Sequence, residues 1–197
     1  MTPLHQIRAE YDDDSIVVYQ AYRPEIADAV VRAGRFVAPF SRERMTWIKP
    51  SFAWMMHRCG WATKPGQERV LALRLTRRGF EEALSLACLT SFRSDVYADH
   101  ETWKARLKTT AVRVQWDPER TLRDAELPYR SIQIGLGPPV VPAFVDEWLV
   151  ELSDITPRVR KIRARLDAGD VDAAESMRPA ERVYPVPAAL RLDIGMT

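Results

Sequence analysis

The chain has few of the residues that build metal or disulfide chemistry. Its 197 residues include two cysteines, Cys59 and Cys88, and three histidines. Two cysteines are too few for a disulfide framework, and they form no Cys-x-x-Cys pair. No spacing of His, Cys, Asp and Glu matches a metal motif, so no metal cofactor is expected. A reducing, cytoplasmic setting is the expected one. No apolar run approaches the length of a membrane span, so no membrane partner is expected. Met1 to Asp14 is polar, ends in Asp12-Asp13-Asp14 and lacks the apolar centre of a secretory signal; it reads as an N-terminal tail. The net charge is only +2. That excludes a global field drawing the chain onto nucleic acid, and any basic site must be local.

Hydrophobic residues make up 46% of the chain and charged residues 28%, the balance of an ordinary soluble globular protein. At this length one domain over residues 1–197 is expected, with a core large enough to need no staples. Tryptophan is what stands out. Trp47, Trp54 and Trp61 lie seven residues apart in a stretch that also carries Arg42, Arg44, Lys49 and Arg58. Flat rings beside fixed positive charge suit a ligand with a stackable base and a phosphate. The competing reading is a tryptophan-rich core segment whose charges point outward.

Around this segment the pattern alternates between short strands and helices. Ser15 to Gln20 reads as a buried strand, rich in β-branched residues. Pro24 opens a helix that Gly34 stops. Phe36 to Phe40 reads as extended, and Arg44 to Ile48 as a strand with Met45 and Trp47 on one face. Pro50 to Cys59 reads as a helix ended by Gly60. Phe52, Met55, Met56 and Cys59 share its core face, while Ser51, Trp54 and Arg58 share another. Val70 to Leu75 alternates as a strand, and Arg77 to Cys88 reads as a helix with Phe80, Leu84 and Cys88 together. Asp95 to Lys108 has weak helical character. Ala111 to Trp116 is a predicted strand, Asp117-Pro118-Glu119 a turn, and Tyr129 to Leu136 a strand with Ile132, Ile134 and Leu136 inward. Ala143 to Ile155 reads as an amphipathic helix. Thr156 is the expected cap of a basic helix to Leu166, a short last helix follows Gly169-Asp170, and Val183 to Ala188 is extended. Strands and helices mix without a βαβ rhythm. This predicts an α+β domain whose mostly antiparallel sheet is flanked by helices.

Lys49, Ser51 and the backbone amides that follow them form a candidate pyrophosphate seat at a helix start, with Arg44 or Arg58 adding charge. Trp47 and Trp54 are the candidate stacking rings. Tyr19 and Gln20 end a strand that leads into a helix, a common place for ligand contacts. Arg130 and Gln133 are polar residues in an otherwise apolar strand. Arg130 shares the side of Ile132 and Ile134, so it needs a carboxylate or a ligand. His57 reads as a helix-face residue. The basic run Arg158 to Arg165 reads as a solvated face, because acids follow it closely, although it also fits an RNA-binding surface.

The run Arg44-Met-Thr-Trp-Ile-Lys-Pro-Ser-Phe-Ala-Trp-Met-Met-His-Arg-Cys-Gly-Trp61, with Tyr19-Gln-Ala-Tyr22 and Arg130-Ser-Ile-Gln-Ile-Gly135, resembles the family named domain of unknown function 4291, over residues 7–187. More distantly, the element order is similar to the ADP-ribosyltransferase superfamily. That resemblance implies an ADP-ribosyltransferase-like fold and an NAD- or nucleotide-binding transferase acting without a metal. Tyr19 or Gln20 would take the first-motif position, Trp47, Lys49 and Ser51 the second, and Gln133 the third. Gln133 and Tyr19 would be the catalytic pair. Gln20, Arg44, Trp47, Lys49, Ser51, Trp54, Arg58 and Arg130 would hold the nucleotide. The sequence departs from that pattern in having no Glu at Gln133. The alternative is a module that binds RNA or single-stranded nucleic acid through its aromatic and basic surface.

Overall fold

The computed structural model describes residues 2–196. The chain opens with β1 (Arg8–Ala9) and β2 (Ser15–Tyr22), followed by α1 (Pro24–Ala33), which ends on Gly34 in the left-handed region at φ 64°. Next come β3 (Thr46–Ile48) and α2 (Phe52–Cys59), closed by Gly60 at φ 58°. Then follow β4 (Arg69–Thr76), α3 (Arg77–Ser85), β5 (Ala87–Leu89), α4 (His100–Thr109), and the long pair β6 (Val112–Arg120) and β7 (Glu126–Leu136). A short α5 (Val141–Ala143) runs into a π-helical turn, Phe144–Trp148, and then into β8 (Leu149–Asp154). The chain finishes with α6 (Thr156–Asp167), α7 (Val171–Ser176), β9 (Arg182–Val183) and α8 (Ala188–Arg191).

Among the described residues the strands form three sheets: β1-β9, β2-β4-β8 and β3-β7-β6-β5. Every pair is antiparallel except β5 with β6. The expected α+β domain with mostly antiparallel pairing is therefore what forms, split over more than one sheet. The two larger sheets meet at one antiparallel bridge, where Tyr19 and Lys49 exchange backbone hydrogen bonds of 2.7 and 3.1 Å.

Strand β2 is buried on both faces, which is why its sequence reads as a continuous apolar run. Ile16 and Val18 enter the larger core cluster with Leu71, Leu73, Val112, Ile134 and Phe144. Val17 and Tyr19 enter a second cluster with Phe52, Met55, Met56 and Cys59 of α2 and Val159 and Ile162 of α6. The core face expected for α2 is thus the observed one. Residues before β2 do not behave as a tail: Ile7 and Ala9 are fully buried, and Arg8–Ala9 pair with β9.

Several local expectations fail, for identifiable reasons. Ala143 to Ile155 is not one helix, because Leu149–Asp154 pairs with β4. Leu75 pairs with Leu149 but Arg74 with Glu151, so Val150 is an extra, bulged residue. The bulge places Leu149 and Leu152, three apart, on one face and imitates helical spacing. Cys88 lies on β5, one short turn beyond the end of α3. Asp117-Pro118-Glu119 is inside β6, where Pro118 sits at a shift of register; the reversal comes at Thr121–Ala125, with Asp124 at φ 67°. Phe36 to Phe40 is irregular and ends in a turn. Thr156 does not cap α6: its hydroxyl accepts the N–H of Val70 at 2.8 Å, and the Asp154 carboxylate accepts the N–H of Thr156. Among the described residues no helix is long and apolar enough to cross a membrane.

Candidate functional site

A cavity of about 650 Å³ lies beside the Tyr19–Lys49 bridge and is lined from both large sheets and α2. Strand alternation decides what reaches it. In β7, Ile132, Ile134 and Leu136 go to the core, so Gln133 takes the opposite face. Gln115 pairs with Gln133 across the ladder, and Asp117 with Ser131, which brings Gln115 and Asp117 to the same face. Trp47 pairs with Gly135, where only a hydrogen fits. A Cβ at Gly135 would lie 2.9 Å from Met45 Sδ and 3.0 Å from the Trp47 ring. The missing side chain lets the indole lie against the sheet.

Two hydrogen-bond sets fix the walls. Gln133 Nε2 donates to Asp117 Oδ2 at 2.7 Å, and Gln115 Nε2 donates to Asp117 Oδ1 at 2.8 Å. Across the cavity, Gln20 Nε2 donates to Thr46 Oγ1 at 2.6 Å while the Tyr22 hydroxyl donates to Gln20 Oε1 at 2.7 Å. Burial raises the Tyr22 hydroxyl well above the usual tyrosine range.

The cations are less well matched. Lys49 is 6% exposed. Among the described residues its ammonium reaches only the Trp47 carbonyl, at 3.4 Å. Burial first, and the Arg58 guanidinium second, lower its pKa to about 8, against a smaller pull from the Cys59 and Asp117 side chains. Arg58 lines the cavity from the last turn of α2. Trp54 lines it too, stacked on His57 at 4.9 Å, and its buried indole Nε1 has no hydrogen-bond partner among the described residues. Such an orphaned donor is costly unless a ligand or water accepts from it. His57 Nδ1 meets Asp124 Oδ1 outside the cavity lining, as befits a helix-face residue.

Of the sequence-predicted residues, Gln20, Trp47, Lys49, Trp54, Arg58 and Gln133 come together here. Four do not. Tyr19 points to the opposite side of β2, packed edge-on against Phe52 at 5.7 Å, because residues 19 and 20 alternate across the strand. Ser51 is spent as the cap of α2: its hydroxyl accepts the N–H of Trp54 and donates to Glu119 Oε1 at 3.0 Å. Glu181 Oε1 accepts the Phe52 N–H at 2.5 Å. Two amides of the first turn of α2, those of Phe52 and Trp54, are thus already taken by a carboxyl group and a hydroxyl. Arg44 lines an adjoining cavity of about 340 Å³ that shares Tyr22, Met45 and Thr46 with the first. Arg130 lines a different cavity, next to His5.

Sequence reasoning missed Gln115, Asp117 and Tyr22 as site residues. The alternation Arg113, Gln115, Asp117 against Val112, Val114, Trp116 carried the signal for the first two; reading Asp117-Pro118 as a turn cut it short. On α6, Arg163 pairs with Asp167 and Arg165 with Asp170, in keeping with a solvated basic face.

The profile described as Domain of unknown function (DUF4291) matches residues 6–184, and the chain belongs to that family. No curated protein matches the chain.

Proposed function

We propose that the chain is a nucleotide-binding enzyme that holds NAD or a related nucleotide in the 650 Å³ cavity and carries out an ADP-ribosyltransferase-like transfer. The observation that carries this reading is the convergence of Lys49, Arg58, Trp47, Trp54, Gln20 and Gln133 on one cavity. Its volume falls in the range of about 300–1,000 Å³ that suits small-molecule and cofactor ligands. The donor set fits a nucleotide. Trp54 Nε1 and Lys49 Nζ lack strong protein acceptors, which leaves them for ligand oxygens.

NAD, when bound, would supply an activated ribose: its bond to nicotinamide would break as a bond to the acceptor forms, with nicotinamide and the acceptor's proton released to solvent. The chain's own residues then have distinct tasks. Lys49 and Arg58 hold the pyrophosphate by charge-assisted hydrogen bonds. Trp47 and Trp54 border the space for a flat ring. Gln133 is fixed by Asp117 through its Nε2, so its Oε1 is left to accept from a ribose hydroxyl. As a neutral amide it orients that hydroxyl and takes no proton. Asp117 supplies negative potential where positive charge develops on the ribose. The adjoining cavity, with Arg23 and Arg44 on its wall, supports an anionic acceptor, a nucleic-acid strand or a phosphorylated small molecule.

The test is a tryptophan-fluorescence titration with NAD, paired with chromatographic detection of released nicotinamide. A saturable fluorescence change that Arg58→Gln weakens, together with nicotinamide release that Gln133→Ala suppresses, is the expected result. No response at millimolar NAD overturns the reading. Salt-sensitive binding of single-stranded RNA without an NAD response would put a nucleic-acid-binding module in its place.

A further inference from the structure

Arg130 stands apart from the nucleotide cavity, in surroundings that make a site of their own. Strand β5 ends at Leu89 while β6 continues to Arg120, so β5 leaves the edge of β6 uncovered beyond Val114. A cavity of about 220 Å³ sits there, lined by Thr90, Ser91, Arg93, Trp116, Arg130 and His5. The two guanidiniums are unequally matched. Arg93 is paired with the Asp95 carboxylate and also donates to the Gly195 carbonyl. Arg130 has no carboxylate partner among the described residues; its Nη1 donates only to the Trp116 carbonyl, at 3.4 Å. Its backbone is held firmly, with its N–H donating to the Leu4 carbonyl at 2.7 Å. The cavity therefore keeps one uncompensated positive charge on a fixed strand.

The remaining lining suits a tetrahedral oxyanion. Thr90 and Ser91 add hydroxyl donors beside the arginines. His5 packs on Trp116 with ring centroids 5.0 Å apart. Burial, then Arg93, then Arg130 lower its pKa to about 4, against a smaller opposing pull from Asp95. At neutral pH it is uncharged; its Nδ1 accepts from Arg93 Nη1 at 3.5 Å, which leaves the Nε2–H to donate. The volume accommodates a phosphate with a small organic part and is below what a dinucleotide needs.

We propose that this cavity is a second anion site, taking a phosphomonoester between Arg130, Arg93 and the Thr90-Ser91 hydroxyls. The proposal does not depend on the nucleotide reading of the larger cavity, with which it shares Gln115. The experiment follows the His5 ring signals by NMR during titration with inorganic phosphate. The wild type is compared with Arg130→Gln, Arg130→Lys and Lys49→Met. Saturable shifts are expected in the wild type, with the His5 pKa rising as the bound anion offsets the two guanidiniums. Arg130→Gln should weaken phosphate about tenfold or more, and Arg130→Lys less, because a point charge keeps attraction but loses the planar fork. Lys49→Met should leave the titration unchanged. Thermal unfolding of each variant distinguishes lost binding from lost fold, and Arg130→Lys carries the test if Arg130→Gln does not fold. The proposal is overturned if His5 shows no saturable response. It is equally overturned if folded Arg130 variants respond like the wild type, or if Lys49→Met alone removes the response.

Discussion

Lys49 should make the protein less stable at neutral pH than it would be without that charge. A free lysine titrates near 10.5, and burial and Arg58 bring Lys49 to about 8. Below pH 8 both folded and unfolded chains carry the ammonium, and its desolvation counts in full against the fold. That difference corresponds to about 3 kcal/mol as an upper bound. Between pH 8 and 10.5 the unfolded chain holds more protons than the folded one, so the contribution of Lys49 to stability rises with pH across that window. Lys49→Met keeps most of the stem and removes the charge. We expect the variant to be more stable than the wild type by about 1–3 kcal/mol at pH 7, with the gap closing by pH 10.5. Urea unfolding followed by tryptophan fluorescence at several pH values measures the gap, and titrations common to both proteins cancel. An anion in the cavity should restore the ammonium. Calorimetry at pH 8 in two buffers of different ionisation enthalpy should then show uptake of up to about half a proton on binding. A Lys49→Met variant that is less stable than the wild type by a pH-independent amount would refute this account. It would mean that the ammonium is well matched within the fold and not held for a ligand.

Other outcomes follow from the same geometry. Gly135→Ala should cost about 1–3 kcal/mol and alter the emission of Trp47, since its Cβ meets Met45 Sδ at 2.9 Å; denaturant unfolding and fluorescence check both. Burial, followed by Glu119, raises Glu181 to about 8 against the Phe52 N–H, so its unfavourable charge sets in as pH rises from its ordinary 4.5 toward 8. Glu181→Gln, which keeps the acceptor for that N–H, should flatten the resulting fall in stability over this window, measured by thermal unfolding against pH. Cys59 and Cys88 are both fully buried, and burial raises the Cys59 thiol further. A thiol reagent should label neither in the native protein and both in urea, as mass spectrometry would show.

Where periodicity was unbroken, the sequence determined the structure. Ser15 to Gln20, Pro24 to Gly34 and the core face of α2 followed from spacing and stop residues, because those segments bury regular apolar faces; pairing with β4 carries the first strand on to Tyr22. The Trp47–Arg58 segment was legible as a candidate site for the same reason: helical phase separates Trp54 and Arg58 from Phe52, Met55 and Cys59. Tertiary pairing decided what local pattern misreported. The bulge at Val150 turned an apparent helix into β8, and the ladder of β6 with β7 carried Asp117 past its proline into the cavity wall. Long-range contacts also decided which polar groups were left over. Glu119 and Glu181 come from far along the chain to engage the Ser51 hydroxyl and the Phe52 amide at the start of α2. Among the described residues Lys49 and Trp54 receive no comparable partner, and they line the cavity instead. A sequence lists donors and acceptors, but their accounting closes only when distant strands meet, because a hydrogen bond depends on distance in space and not on separation along the chain.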